Sequence, residues 1–166
     1  MKSWWTGPRA WALGAASVLV VALLVTVFLL RPAYQDQQSQ SLLADVFPSV
    51  AACRADVARV VQTTTAPVLS PSLFSCDGGI STGVRISKHL KSIAVNQAGV
   101  ITVTLHHRTL PELSPTTNTL TVVPLTAKGH PLQPGDVRQK IASWRCGSRA
   151  DGTTIPAKLL PADCKG

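Results

Sequence analysis

The sequence predicts an α+β fold. A long N-terminal helix, membrane-spanning over its first half, packs on a four-stranded antiparallel sheet, and a C-terminal disulfide loop closes the domain. Three observations carry this expectation. Trp11 to Leu30 is a run of 20 residues without a charge. Beyond it apolar residues recur at helical spacing to about Thr63, and after about residue 90 the period changes to two. Four cysteines, Cys53, Cys76, Cys146 and Cys164, all lie after the apolar run.

The apolar run comes first. At about 1.5 Å per residue, 20 residues cross the roughly 30 Å hydrocarbon layer of a bilayer. Lys2 and Arg9 precede it and Arg31 follows. Positive charge stays on the cytoplasmic side, so the N-terminus is expected inside. Trp4, Trp5 and Trp11 suit the interface, where indole rings are favoured. A cleaved signal peptide would have a shorter apolar region and a small-residue cleavage site. Arg31-Pro32-Ala33-Tyr34 offers no such site. The expected organisation is therefore a cytoplasmic tip and membrane helix over 1–31 and an exported αβ domain over 32–166. That places a single-pass protein in a bacterial inner membrane, with its C-terminal domain in the periplasm.

The exported part is small, so its core is modest. The whole chain of 166 residues carries a formal charge of +8; beyond residue 31 there are 13 Lys and Arg against 8 acids, a net +5. Such a balance suits an anionic partner, nucleic acid or lipid, and equally a moderately basic surface. No cysteine sits in a C-x-x-C pair, which argues against zinc. In a small exported domain four cysteines read as two disulfides. Three pairings are open, of which Cys53–Cys76 with Cys146–Cys164 is the simplest. Each bridge adds on the order of 3 kcal/mol by restricting the unfolded chain.

From Tyr34 to about Thr63, Leu42, Leu43, Val46, Val50, Ala51, Val57, Val60 and Val61 form one apolar stripe at spacings of three, four and seven. Pro48 is expected to kink or split this helix, as Pro32 does at the membrane exit. Thr63 to Ser75, with Pro67 and Pro71, reads as a loop, and Cys76-Asp77-Gly78-Gly79 as a turn. Ile93 and Val95, then Ile101, Val103 and Leu105, alternate with polar or small residues. They form a hairpin about Asn96-Gln97-Ala98-Gly99. His106 to Thr119 reads as a polar loop, Leu120 to Leu125 as a third strand, Lys128 to Asp136 as a turn and Ile141 to Arg145 as a fourth strand. Cys146 to Cys164 is irregular. The helix stripe needs cover, and one face of the sheet supplies it.

Several segments resemble type IVa pilins. Pro32-Ala33-Tyr34-Gln35-Asp36, directly after an apolar helix, is similar to the segment leaving the membrane in that family. Ser87 to Ile93 followed by Gly99 to Thr104 looks like its first hairpin. Trp144-Arg145-Cys146, with Lys158 to Lys165, looks like its C-terminal disulfide loop. The matches span most of residues 32–165 and keep the family's order. The resemblance implies a helix with a sheet packed on its outer half. It also implies a subunit, major or minor, that acts in pilus assembly and cell adhesion by burying apolar helices of many copies together. Other pilin subunits, pilus assembly proteins, membrane lipid and a host surface or DNA are the partners it implies.

The N-terminus departs from that pattern. Counting back from Pro32, the family's scissile Gly falls at Ala10 and its first mature residue at Trp11. The family's Glu, at the fifth mature position, falls at Ala15, and no acid occurs in residues 1–35. Gly7-Pro8 reads as a turn before the membrane helix. An uncleaved chain would carry Lys2 and Arg9 into a filament core, which is costly. The departure therefore favours an uncleaved, membrane-anchored accessory of the pilus system as the alternative.

Catalytic signatures are missing: there is no G-x-S-x-G, H-E-x-x-H, P-loop or dinucleotide fingerprint. His106-His107, at a strand end, should point to opposite faces. Glu112, the one Glu, stands in a Pro-flanked loop without a visible partner. An enzyme, a cofactor and a metal are therefore not expected. Lys88, Lys91, Arg108, Lys128, Arg138, Lys140, Arg145, Arg149, Lys158 and Lys165 give the domain a basic character. That suits a DNA-binding pilin-like protein as a second alternative, without the aromatic residues that serve single strands. Trp144 is expected to anchor the core. Cys146 and Cys164 bound the loop expected to face partners.

Overall fold

A computed structural model describes residues 21–27, 44–76, 87–108, 110 and 112–166. The chain divides into two units, Met1–Gln38 and Ser39–Gly166. In the first, residues 21–27 are helical, and Thr26 Oγ1 donates back to the carbonyls of Ala22 and Leu23. Among the described residues no helix is long and apolar enough to cross a membrane. The ends of the expected span, Trp11 and Leu30, lie outside the described residues, as do Ala10, Ala15 and Pro32.

In the second unit, helix α1 (Phe47–Thr63) is followed by strands β1 (Leu90–Val95), β2 (Ile101–Leu105), β3 (Thr119–Leu125) and β4 (Ser143–Cys146). The four strands form one sheet in the order β1-β2-β3-β4, every pair antiparallel. Pro48 sits in the first turn of α1, where its missing N–H has no intrahelical partner to lose. Val46, Val50, Cys53, Val57, Val60 and Val61 are buried, a stripe at spacings of four and three. Ala51 is exposed, which corrects its expected place in the stripe. It lies about 100° around the helix from Val50, and Cys53 takes the inward position instead. The helix closes as Thr64 N–H donates to Val60 O.

The hairpin forms as its residues dictate. Asn96 Oδ1 accepts from Ala98 and Val100 N–H, and Gly99 takes φ +70°. A Cβ at Gly99 would stand 3.1 Å from Val57 Cγ1, so α1 passes close over this turn. Ile101, Val103 and Leu105 on β2 and Leu120 and Val122 on β3 point into the core. The segment after β2 is less polar than expected: it gives Leu110 and Leu113 to the core. Asn118, also buried, donates from Nδ2 to Leu105 O at 2.8 Å. His106 and His107 are both exposed beyond the end of β2. Strand alternation therefore does not set their directions, contrary to the expectation. The fourth strand begins two residues later than expected, at Ser143.

Candidate functional site

The C-terminal loop is built on the free side of β3. Strand β4 is short and pairs only with Val122 to Leu125. Thr119 to Thr121 would otherwise present unpaired backbone groups, a template for unwanted strand addition. The loop covers them. Gly147 N–H donates to Thr121 O at 3.1 Å, and Thr154 and Ile155 N–H both donate to Thr119 O. Thr153 Oγ1 accepts from Thr121 N–H at 3.1 Å, and Thr154 Oγ1 from Thr119 N–H at 3.0 Å. Two adjacent threonines thus act as surrogate strand.

Three further devices shape this loop. Gly147 takes φ +82°, and a Cβ there would lie 2.0 Å from Cys164 O. Arg145 forms a two-pronged pair with Asp151, Nε to Oδ2 at 2.6 Å and Nη2 to Oδ1 at 2.7 Å. Those hydrogen bonds hold the Arg145 guanidinium pKa above its ordinary value. The bridge Cys146–Cys164 has its Cα atoms 4.5 Å apart, and Gly166 N–H returns to Cys146 O at 2.8 Å. With the loop so pinned, Ile155, Leu159 and Leu160 are fully buried in the core. The second bridge joins Cys53 on α1 to Cys76, with Cα atoms 5.0 Å apart. Asp56 reinforces it by accepting from Ser75 N–H at 2.8 Å while pairing with Arg59.

A protein-family model described as pilin, of the bacterial filament, matches residues 39–165. The chain belongs to the pilin family. Its fold is similar to that of a type IV pilin of Pseudomonas aeruginosa (strain Pa110594), with a TM-score of 0.57 over 76% of this chain and 97% of that chain. At 18% identity the likeness is one of fold. No curated protein matches the chain in sequence. Family membership makes this a pilin-like subunit whose partners are other pilin subunits or pilus components.

Beside the disulfide loop this pilin has a groove of about 370 Å³ between the start of α1 and the end of the chain, walled by Ala44, Phe47, Leu159, Leu160 and Pro161, with Lys165 at its rim. Its apolar walls and single cation suit contact with an apolar segment more than with a charged solute. A second hollow of about 550 Å³ lies by the turn after β3, among Lys128, His130, Asp136 and Gln139. Neither holds a nucleophile with a base and an orienting group. Among the described residues no group of three or more His, Cys, Asp or Glu is placed to hold a metal ion.

Of the residues singled out from sequence, the structure joins Cys53 to Cys76 and Cys146 to Cys164. Trp144 is half-buried rather than central, packed against the core with Arg54 5.2 Å over its ring. That cation–π contact ties α1 to β4 and is worth about 0.5–1 kcal/mol. Sequence reasoning missed the Arg145–Asp151 pair, the Thr153–Thr154 clamp and the Arg54–Trp144 contact. The glycine directly after Cys146 was the one local signal of a constrained turn. The others depend on which segments the fold brings together.

Proposed function

We propose that this pilin is a structural subunit of a type IV pilus, major or minor, that acts in pilus assembly and adhesion rather than in catalysis. Its apolar segment Trp11–Leu30 serves as the first half of a long N-terminal helix, held in the inner membrane before assembly, with the domain on the periplasmic side. The boundary of that arrangement falls near residue 31. The observation that carries this reading is the conjunction of a pilin-family match over nearly the whole second unit with a helix, a four-stranded meander and a pinned C-terminal disulfide loop. The chemistry supports it. An apolar helix is as stable among neighbouring apolar helices as in lipid, so a subunit can pass from membrane to filament without exposing apolar surface to water.

The departure at Ala10 and Ala15 favours a second reading, an uncleaved accessory that stays in the membrane and engages pilins or the assembly platform. Intact mass and N-terminal sequencing of protein from its own cells separate the two. A mature chain beginning near Trp11 and recovered in sheared pili fits the subunit. A chain beginning at Met1 or Lys2, recovered only with membranes, sinks that reading and leaves the accessory.

A further inference from the structure

The two ends of the unit Ser39–Gly166 hold different things. Toward the end of α1, Val57 lies against the Gly99 turn, and Arg138 N–H donates to Val61 O at 2.7 Å. The β1–β2 turn and the segment after β3 therefore belong to that end. The start of α1 belongs to the other. There Ala44 and Phe47 line the groove with Leu159, Leu160 and Lys165, and the same C-terminal loop reaches Thr119 O through Thr154 and Ile155 N–H. Thr119 pairs with Thr104, and Leu105 with Leu90, so the open end of the β1–β2 hairpin lies at this end too. Lys88, Lys91 and Arg108 from the hairpin and Lys158 and Lys165 from the loop are gathered here, all exposed. The ion pairs among the described residues are Arg59–Asp56 and Arg145–Asp151, which use none of the five. Two exposed acids, Asp45 before α1 and Asp163 in the loop, leave a formal excess of +3 among the described residues, five minus two. Glu112, whose Oε2 is buried without a hydrogen-bond partner, lowers it to +2, three minus one.

On the reading that Trp11–Leu30 spans a membrane, this is also the end at which the chain arrives from it. Ala44 follows Leu30 by 14 residues, 44 minus 30, a tether of at most about 50 Å. A surface so tethered meets the bilayer at high effective concentration, and modest attraction is enough to hold it there. Each Lys or Arg brought to an anionic lipid surface strengthens partition about fivefold, provided it comes within a Debye length of about 8 Å. Apolar groove walls and cations lie together at this end, which matches an amphiphile better than a polymer charged along its whole length. We propose that Lys88, Lys91, Arg108, Lys158 and Lys165 form a contact surface for the headgroups of anionic phospholipid. Their ammonium and guanidinium groups donate to phosphate oxygens. The domain itself then lies on the lipid surface, in addition to being tethered to it. Withdrawing the subunit from the bilayer breaks these contacts too, so the anionic lipid content of the membrane sets part of the work of extraction.

The test is lysine acetylation of the full chain, reconstituted into vesicles of phosphatidylcholine alone or of phosphatidylcholine mixed with phosphatidylglycerol. An uncharged acetylating ester is used, and mass spectrometry reads each site. Lys88, Lys91, Lys158 and Lys165 are expected to react at least about threefold more slowly in the anionic vesicles, while Lys128 and Lys140, toward the other end, change by less than about 1.5-fold. At about 1 M salt, where the Debye length falls to about 3 Å, the protection disappears. Lys88→Glu with Arg108→Glu leaves Lys158 and Lys165 reacting within about 1.5-fold of their rate on phosphatidylcholine. Lys128→Glu leaves their protection intact. Unchanged circular dichroism and intact disulfides show that the variants fold. Equal rates in the two kinds of vesicle overturn the proposal. So does equal protection of Lys128 and Lys140, which would make net charge the cause, and so does protection that survives high salt. Flotation with phosphatidylcholine vesicles reads the membrane assignment separately. A chain that fails to float loses both the span and the lipid surface, whereas one that floats with unprotected lysines keeps the span alone.

Discussion

At Gly147 the backbone has no freedom to accept a side chain. Its φ of +82° suits glycine, and Cys164 O occupies the place of a Cβ. Gly147→Ala is expected to cost about 3 kcal/mol or more, combining left-handed strain with a displaced carbonyl. Gly129 makes the control, because it also has positive φ (+75°) but nothing within 4 Å of its would-be Cβ. Gly129→Ala is expected to cost only about 1–2 kcal/mol. Chemical denaturation midpoints of the two variants decide the matter, and equal losses would show that the Cys164 carbonyl yields freely. Thr153 poses a different test. Its hydroxyl is the acceptor for the Thr121 N–H, and both residues are buried. Thr153→Val keeps the shape and orphans that donor, at a cost of about 1–3 kcal/mol. Faster hydrogen exchange at Thr121 should accompany the loss; unchanged exchange would mean another acceptor serves.

The helix and the sheet depend on each other through few residues. Val57 is fully buried where α1 crosses the hairpin turn, against the side of Gly99. Val57→Ala removes two methyl groups from a packed site and leaves a small cavity, for about 2–3 kcal/mol. Ala51→Ser, on the exposed side of the same helix, should change stability by less than about 0.5 kcal/mol. Thermal unfolding of the pair checks the assignment of the stripe, and a larger effect at Ala51 would reverse it. On the far side of the sheet, β4 is too short to protect β3. The loop finishes the task with side-chain hydroxyls as well as backbone groups, so its sequence matters for solubility as much as for fold.

For the unit Ser39–Gly166 as a whole, the two bridges share the work of a small core. Removing Cys146–Cys164 by paired Ser substitutions frees a loop of 18 residues' separation, with an expected loss of about 3 kcal/mol. Leu159 and Leu160, buried residues near the end of that loop, should lose amide protection first. Removing Cys53–Cys76, separation 23, costs a similar amount in the chain-entropy view. It should leave Leu159 and Leu160 protected, since that bridge joins α1 to Cys76 rather than closing the C-terminal loop. Equal loss of protection in both variants would indicate that the unit opens as one body.

Periodicity was enough to read the α1 stripe, the hairpin and the third strand, because 3.6 and 2 are properties of local backbone geometry. Gly99 and its neighbours announced their turn because positive φ is a property of one residue. The cysteine count announced two bridges, and the order of segments carried the family resemblance. Tertiary structure alone decided which cysteines pair, since pairing requires Cα atoms to approach within about 7 Å. It alone put Ala51 outward and Cys53 inward, because both are compatible with the spacing. It alone joined Arg145 to Asp151, set two threonines against the edge of β3 and gathered the cations of two segments at one end of a hairpin. Each of these is a meeting of groups distant in sequence or indifferent to local conformation, and such meetings exist only once the chain has packed.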